Sequence, residues 1–462
     1  MRFNMVKNYK ILKMLLICST LFLLVDSLIL LAGCNNGRYA NILSYGAESG
    51  IASYDNSESI QKAIDQVNES GGGRVVIPAG DFYTHPIELK SGVELHLESG
   101  AKLIGVDNIE AYTKLKYKKN PSLIFADGQE NISVTGTGTI DGQGGAPTFQ
   151  VKGDPGGRPM IILFHDCKDV TVTDVTLTNS AHWVQFYTAC ERVRIRGIKV
   201  NSHANLNNDG IDIGSKDVVV SDCIIDSDDD AICFKGDELC ENVTVTNCVA
   251  STNCNGIKFG TASTKGYRNV KVNNIKLSHA SEDNHRQWST KYPGITAPVT
   301  IISGIAIEVV GGGIAENIDI NNISMTDVQT PIFIRQGKRY DESKAPNTYI
   351  KDIKISNVKA VSESMMTSSI TGVPGLYPEN ITLTNIDITA PGGGTADMGS
   401  IVVPEAEKEY PENRILGTIM PASGLYIRHA NNITLSNVNF HFREPDDRPL
   451  IIKDDCTNIN YL

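Results

Sequence analysis

The sequence of 462 residues has few aromatic residues and no surplus of basic ones. Lysine and arginine total 42 against 53 aspartate and glutamate residues, so the formal net charge is -11. A chain with this balance has no reserve for neutralising the phosphates of nucleic acid, or for attaching to anionic lipid through a polybasic face. Nucleic acid and polybasic membrane contact are therefore excluded as partners.

Motifs for metal and phosphate sites are also missing. No cysteine and histidine residues have the spacing of a zinc site. The glycine run 392–394 has no helix pattern behind it that could hold a phosphate. Ten cysteines are too few for a disulfide scaffold in a chain of this length. We expect neither a metal nor another cofactor.

The N-terminal segment has the pattern of an export signal. An apolar run at 14–31 follows four basic residues, namely Arg2, Lys7, Lys10 and Lys13. Its end, Leu31-Ala32-Gly33-Cys34, resembles the lipobox of bacterial lipoproteins, in which the cysteine is lipidated. A plain secretory signal and a retained anchor are the alternatives, although Asp26 within the run counts against a permanent span.

The lipoprotein hypothesis fixes the expected organisation of the chain. Residues 1–33 would be a signal peptide, residues 34–43 a linker after lipidated Cys34, and residues 44–462 one folded domain. The protein would be exported and held by its lipid at the outer membrane or periplasmic face of a bacterial membrane.

A short phrase recurs along most of the chain. It places Asn or Asp before alternating apolar residues, and a second Asn or Asp four or five residues later. Copies start at Asp169, Asp217, Asn242, Asn269, Asn317, Asp352, Asn380 and Asn432, with a variant at Arg192. The first apolar positions, 170, 193, 218, 243 and 270, are 23 to 27 residues apart.

Each phrase predicts two short strands joined at a residue that can adopt a left-handed backbone. The spacing leaves no room for crossover helices, so the strands must form successive coils of a parallel β-helix. Wider spacings predict insertions at about 279–303 and 391–422, which we expect on one face of the solenoid.

A helix is predicted before the first coils. Asp55 and Glu58 could cap it, and the glycines 71–73 would end it. One face would be apolar through Ile60, Ala63, Ile64 and Val67. This helix would cover the open end of the solenoid, whose strand edges would otherwise recruit other chains.

Most cysteines occupy repeated positions. Cys167, Cys190, Cys240 and Cys456 each precede the first apolar position by three residues, and Cys223 and Cys248 share the slot after the hinge. Stacked coils would place such residues above one another. We interpret them as small buried apolar residues, with disulfides between neighbouring coils as the alternative.

Acidic residues crowd together between residues 203 and 260. Asp209 and the run 228–230 are about one coil apart, and equivalent positions on neighbouring coils lie ~4.8 Å apart. Carboxylates this close raise the pKa of at least one of them, which provides a proton donor beside ionised groups. A general acid and a general base about 6.5–9.5 Å apart would suit glycoside hydrolysis with inversion.

These features resemble glycoside hydrolase family 28, the family of polygalacturonases and rhamnogalacturonan hydrolases, over about residues 44–462. The resemblance lies in four motifs, at 45–47, 71–80, 207–210 and 229–230. It implies an all-β fold, a single right-handed parallel β-helix of the pectin lyase type with a short N-terminal capping helix.

The resemblance also implies roles for residues. Asp229 would protonate the leaving glycosidic oxygen, while Asp209 and Asp230 would hold and deprotonate the attacking water. The family's Asn-Thr-Asp motif falls on Asn207, Asn208 and Asp209, with Asn in place of Thr, and the two asparagines are candidate substrate-binding residues.

Two further family motifs are absent. Gly-His-Gly falls on 254–256, where Asn255 replaces the histidine, and Arg-Ile-Lys falls on 306–308, which contains Glu308 and neither cation. Lys235 and Lys258 are candidates for replacement cations, because they follow the acidic segment and the Asn255 segment at matching strand positions. The further candidates are Arg335, His285, Arg286 and Lys291.

His182 and Trp183 could form a sugar-stacking wall. Each of these candidate residues, cationic or aromatic, could instead have a purely structural role.

The leading hypothesis is a monomeric glycosidase acting on a pectic polysaccharide or oligosaccharide, with rhamnogalacturonan or a decorated fragment favoured over plain polygalacturonate. One alternative is a polysaccharide lyase that binds Ca²⁺ through residues 228–230. Another is a carbohydrate-binding solenoid without catalytic activity, suggested by the missing family cations.

Overall fold

The computed structural model describes residues 38–112, 121–150, 157–283, 292–298, 300–340 and 347–462. The signal segment, Cys34, His285, Arg286 and Lys291 lie outside these ranges. Within the ranges, no helix is both long enough and apolar enough to cross a membrane.

The described chain is a parallel β-helix with a single α-helix, α1 (Ser57–Glu69). The first strands are β1 (Tyr39–Asn41), β2 (Gly73–Ile77), β3 (Gly80–Thr84), β4 (Ile87–Glu88), β5 (Val93–Leu97), β6 (Ala101–Gly105), β7 (Ser122–Asp127), β8 (Glu130–Gly136) and β9 (Thr139–Asp141). The middle strands are β10 (Met160–His165), β11 (Lys168–Thr173), β12 (Thr176–Thr178), β13 (Gln185–Arg196), β14 (Lys199–Ser202), β15 (Ile211–Ser221), β16 (Ile224–Ser227), β17 (Ile232–Gly236) and β18 (Cys240–Thr252). The last strands are β19 (Asn255–Ser263), β20 (Gly266–His279), β21 (Ile301–Val309), β22 (Ile314–Gln336), β23 (Tyr349–Ser362), β24 (Ser368–Thr371), β25 (Glu379–Ala390), β26 (Leu425–Phe442) and β27 (Ile451–Tyr461). Short 3₁₀ helices span Ile42–Tyr45, Ile109–Tyr112, Pro147–Phe149, Ala396–Ser400 and Asn413–Leu416.

Each strand pairs in parallel with its equivalent on the next coil, which produces three sheets. The first sheet contains the first half of the repeated phrase and pairs Val170, Val193, Val218 and Val243 in succession. The second sheet contains the other half of the phrase and pairs Leu177, Val200, Ile225 and Ala250. The third sheet lies between successive phrases and pairs Phe186, Asp212, Cys233 and Lys258. The predicted parallel β-helix is thereby confirmed.

The hinge between the first and second sheets has the predicted left-handed backbone. Asp222, Asn247 and Asn274 have φ angles of 58°, 57° and 56°. Asn is favoured in this conformation because its short polar side chain tolerates it and can bond locally. The amide of Asn247 donates to Asp222, and that of Asn274 donates to Asn247 at 2.8 Å. The repeated asparagines therefore both turn the chain and bond one coil to the next.

The predicted capping helix is present as α1, and its apolar face is fully buried against the first coils. Its start differs slightly from the prediction, because Asn56 is the N-terminal cap. Asp55 instead accepts a hydrogen bond from the Ser57 backbone at 2.9 Å. The first strand starts at Tyr39, where it pairs with Arg74, so the solenoid begins inside the segment predicted as a linker to residue 43.

The eight described cysteines are free thiols, and seven of them are buried. Cys167 and Cys190 stack on neighbouring coils, where the Cys167 backbone lies 3.4 Å from the Cys190 sulfur. Cys456, on the last strand, is half-buried. Burial in register agrees with their interpretation as small apolar residues of the core.

Candidate active site

A cavity of about 330 Å³ lies on the outer face of the third sheet. It is lined by Trp183, Asn207, Asp209, Asp229, Asp230, Lys235, Lys258, Gly260, Thr261, Ala262, Arg339 and Tyr410. Asp209 lies in the turn between β14 and β15, and Asp229 and Asp230 lie in the equivalent turn of the next coil. The three predicted aspartates therefore meet in one site.

The aspartates are close enough to interact strongly. Carboxylate oxygens of Asp209 and Asp230 lie within 4.8 Å of each other, and so do those of Asp229 and Asp230. At this separation, like charges in a buried site cannot all remain ionised without nearby cations.

The two nearest cations are the predicted lysines. Lys235 Nζ lies 2.5 Å from Asp209 Oδ2 and 2.9 Å from Asp212 Oδ1. Lys258 Nζ lies 3.1 Å from Asp230 Oδ2 and 3.8 Å from Glu308 Oε2. Each lysine thus bridges one aspartate of the cavity and one acid behind it.

The strand positions of the lysines differ from the prediction. Lys258 pairs with Cys233, two residues before Lys235 on β17. The matching positions inferred from the sequence were wrong, because Ile232 pairs with Ile257, and Lys258 follows that position by one residue while Lys235 follows it by three. Both side chains nevertheless point to the outer face and reach the same cavity.

Carboxyl groups outnumber lysines in this buried cluster. Burial raises the pKa of Asp212 to about 7 and that of Glu308 to about 8, although a lysine opposes the shift in each case. Burial also raises the pKa of Asp209, with Lys235 opposing it and the neighbouring aspartates adding to it. The cluster therefore retains protons near neutral pH.

Asp230 behaves in the opposite way. Burial acts to raise its pKa, but Lys258, Lys235 and the Asn255 amide outweigh burial, so the pKa lies below its ordinary value. Asn255 donates to Asp230 Oδ1 through its backbone at 3.2 Å and its side chain at 2.7 Å. Asn255, predicted to bind substrate, instead contacts and orients a site carboxylate.

Asn207 and Asn208 have different surroundings. Asn207 lines the cavity and donates to Asp229 Oδ2 at 3.2 Å. Asn208 is fully buried, and its amide donates to the carbonyls of Ser180 and His182, at 2.9 Å each. Asn208 therefore holds the turn that carries Asp209 and does not line the cavity, contrary to the predicted role in substrate binding.

Arg158 was missed by sequence reasoning. It is buried, and it donates to Asn207 Oδ1 at 3.0 Å and to the Leu206 carbonyl at 2.6 Å. It thereby fixes the asparagine that contacts Asp229. It lies far from the acidic residues in sequence and outside any repeated phrase, so no local pattern distinguished it.

The aromatic wall is partly as predicted. Trp183 lines the cavity, and Lys235 Nζ lies 3.6 Å from the centre of one of its rings. The His182 ring packs beside Trp183 with their centres 4.9 Å apart, outside the cavity lining. Trp183 therefore faces the site, and His182 supports it.

Tyr410 and Arg339 form the opposite wall and were also missed. Tyr410 comes from the insertion at 391–422, and its hydroxyl lies 3.5 Å from Lys258 Nζ. The Arg339 guanidinium lies 5.2 Å from the Tyr410 ring centre. Neither residue belongs to a repeated phrase, so the repeat does not predict where they lie in the stack of coils.

Arg335, predicted as a substrate-binding cation, lies elsewhere. It is almost fully buried and donates to the carbonyls of Gly372, Glu405 and Ala406 at 2.6–2.9 Å. Its guanidinium supports the insertion and does not reach the cavity. These contacts favour a structural role for this arginine over the predicted one.

The raised pKa of Glu308 predicts a measurable effect of pH on stability. Between its ordinary pKa of 4.5 and its folded pKa of about 8, the folded protein binds more protons than the unfolded chain, so stability falls as pH rises. Glu308→Gln removes this dependence. Relative to the parent protein, its free energy of unfolding should increase between pH 5 and pH 8 by an amount on the order of a few kcal/mol. Urea unfolding at several pH values measures this, and a constant difference would contradict a protonated Glu308.

Comparisons with known proteins agree with this site. Residues 69–406 match the family described as glycosyl hydrolases family 28. An endo-polygalacturonase of Pectobacterium carotovorum subsp. carotovorum is 25% identical over 371 residues, covering 72% of this chain and 84% of that protein. A putative galacturan 1,4-alpha-galacturonidase A of Aspergillus niger is 25% identical over 313 residues, covering 61% and 69%.

A solved structure shows the same fold. The family 28 exopolygalacturonase of Yersinia enterocolitica superposes with a TM-score of 0.64 at 17% identity, covering 91% of this chain and 78% of that one. The family match extends over most of the chain and includes the three aspartates of the cavity. The chain belongs to glycosyl hydrolase family 28 and is a glycosidase.

Proposed function

We propose that this protein hydrolyses glycosidic bonds of an acidic pectic polysaccharide by general acid and base catalysis with inversion. The observation that carries the proposal is the meeting of Asp209, Asp229 and Asp230 in one cavity. Asp209 and Asp230 each contact the ammonium group of a different lysine. Such a site supplies both an ionised carboxylate and a retained proton.

The roles proposed for the aspartates follow from the family resemblance, and the lowered pKa of Asp230 agrees with its role as the base. Asp229 donates its proton to the glycosidic oxygen as the bond from that oxygen to the anomeric carbon breaks. Asp230, whose pKa is lowered, accepts a proton from water as the water oxygen bonds to the opposite face of that carbon. Asp209, held by Lys235, orients the same water.

The charge of the cavity bears on the substrate. Lys235 and Lys258 are both engaged by site carboxylates, while the exposed Arg339 guanidinium lines the cavity against Tyr410. A site with more carboxyl groups than cations repels a ligand with a carboxylate on every sugar. We therefore favour a substrate in which acidic sugars alternate with neutral or decorated ones, as in rhamnogalacturonan, over plain polygalacturonate.

The calcium-dependent lyase is less well supported. Ca²⁺ binds six to eight oxygen atoms, and the carboxylates of this cavity are instead contacted by two ammonium groups. Asp228, one of the ligands considered for that metal, is fully buried and does not line the cavity. The residues present do not fit a calcium site.

The proposal also concerns the cellular location of the protein. We propose that Cys34 carries a lipid and that the β-helix acts as a monomer on the exported side of a bacterial membrane, because of the lipobox-like segment before it.

The test is to incubate the purified protein with a panel of pectic oligosaccharides, including rhamnogalacturonan and polygalacturonate fragments. Products should have the mass of one added water, and NMR should show the inverted anomer first. A product with a new ultraviolet-absorbing double bond would indicate a lyase, and retention of configuration would contradict the roles of Asp209 and Asp230.

A further inference from the structure

The insertion at 391–422 crosses the outer face of the third sheet. Two buried arginines on that face bind its backbone. Arg428 donates to the carbonyls of Val403 and Pro404 at 2.8 and 2.7 Å, and Arg335 donates to those of residues 405 and 406 at 2.6 and 2.9 Å. The carbonyls of residues 403–406 are thus all bound by the sheet, through two arginines that lie on different coils.

An apolar contact fixes the same segment. Side chains of the insertion pack with two aromatic residues of the sheet, forming the buried cluster Phe333, Val403, Leu416, Met420, Ala422 and Tyr426. Asn413, also buried, donates to the Ile302 carbonyl at 2.9 Å and to Thr330 Oγ1 at 3.0 Å. The face that would continue the floor of the cavity is therefore covered by protein.

The covered face borders the cavity directly. Within one row of the third sheet, Glu308 pairs with Arg335, and Glu308 contacts Lys258 in the site. From the carbonyls at 403–406 the chain continues to Tyr410, which closes this side of the cavity with Arg339. The volume of about 330 Å³ is at the small end of the ~300–1,000 Å³ typical of ligand sites. Among the residues that the structure describes, the cavity has room for a short ligand, and no groove continues from it on this side.

We propose that the insertion at 391–422 ends the substrate groove, so that the enzyme binds the end of a polysaccharide chain and releases one or two sugars at a time. This inference rests on the proposed function, since it concerns the same site and the same bond cleavage. An open groove would instead let a chain pass through and be cut internally.

The experiment follows viscosity and product size together on the pectic polymer that the protein hydrolyses best. Chain-end action predicts mono- or disaccharides from the first time point, with little loss of viscosity per bond broken. A ladder of intermediate oligosaccharides with an early loss of viscosity would overturn the inference while leaving the glycosidase intact. Absence of hydrolysis on every pectic substrate would overturn the proposed function, and this inference with it.

A variant tests whether the insertion is the cause. In Arg335→Met/Arg428→Met, residues 403–406 of the insertion lose the four hydrogen bonds that these arginines donate to their carbonyls, and the share of intermediate-length products should rise at least several-fold. Arg192→Met removes an exposed arginine of the first sheet and should keep the parent product pattern. A folded double variant that still releases only the shortest products would overturn the role of the insertion. If the double variant fails to fold, the product pattern of the parent protein still decides between chain-end and internal cleavage.

Discussion

Asp229→Asn should lower kcat by about 10²- to 10⁴-fold, the usual contribution of a general acid. The substitution keeps the size and shape of the side chain, and its oxygen can still accept the Asp230 backbone N–H that now bonds Asp229 at 2.9 Å. The fold should therefore survive, while the proton for the leaving oxygen is lost. Steady-state kinetics on the best pectic substrate, with circular dichroism as a check of folding, measures the effect.

Asp222, at the preceding hinge of the chain, provides a matched control. Asp222 is an exposed hinge residue with a left-handed backbone that Asn tolerates well, so Asp222→Asn should leave kcat unchanged. A substrate with an easily displaced leaving group needs less protonation, so Asp229→Asn should recover much of its rate on it, whereas Asp230→Asn should not. Equal recovery by both variants would contradict the assignment of acid and base.

The fold could be predicted from the sequence because its determinants are local and repeated. Hinges such as Asn247 combine a left-handed backbone with an amide that bonds the neighbouring coil, so Asn or Asp returns at most coils. The buried positions, such as Val243 on the first sheet, alternate with a period of two. A pattern that recurs in this way can be recognised without knowing any long-range contact.

The meeting of the three aspartates in one cavity could be predicted for the same reason, since one coil separates Asp209 from Asp229. Their partners were harder to place. Arg158 acts through Asn207, and Tyr410 comes from an insertion whose path over the sheet is set by contacts with distant residues. Arg335 was predicted to bind substrate because the sequence does not show that the insertion covers it. The repeat therefore predicts the positions of residues within the coils, and it does not predict the path of an insertion that packs across several coils.

Lys235→Met should be the most destabilising substitution in the site. The ammonium is buried, and it contacts Asp209 and Asp212, which are buried as well. Removing one partner of a buried ion pair leaves charge without compensation and typically costs about 3–5 kcal/mol. Urea unfolding should show this loss, whereas Lys168→Met, which breaks an exposed pair with Glu130, should cost about 1 kcal/mol or less.

Two further measurements separate lost charge pairing from lost packing. In Lys235→Met/Asp212→Asn, one of the two stranded carboxylates is gone, so the double variant should be more stable than Lys235→Met alone. The deficit of Lys235→Met should also shrink as pH falls, because Asp209 and Asp212 can then bind protons and lose their charge. A deficit that stays constant from pH 8 to pH 5, with no rescue by Asp212→Asn, would mean that Lys235 stabilises the site through its aliphatic chain. In that case the balance of carboxylates and cations would not control protonation in this cavity.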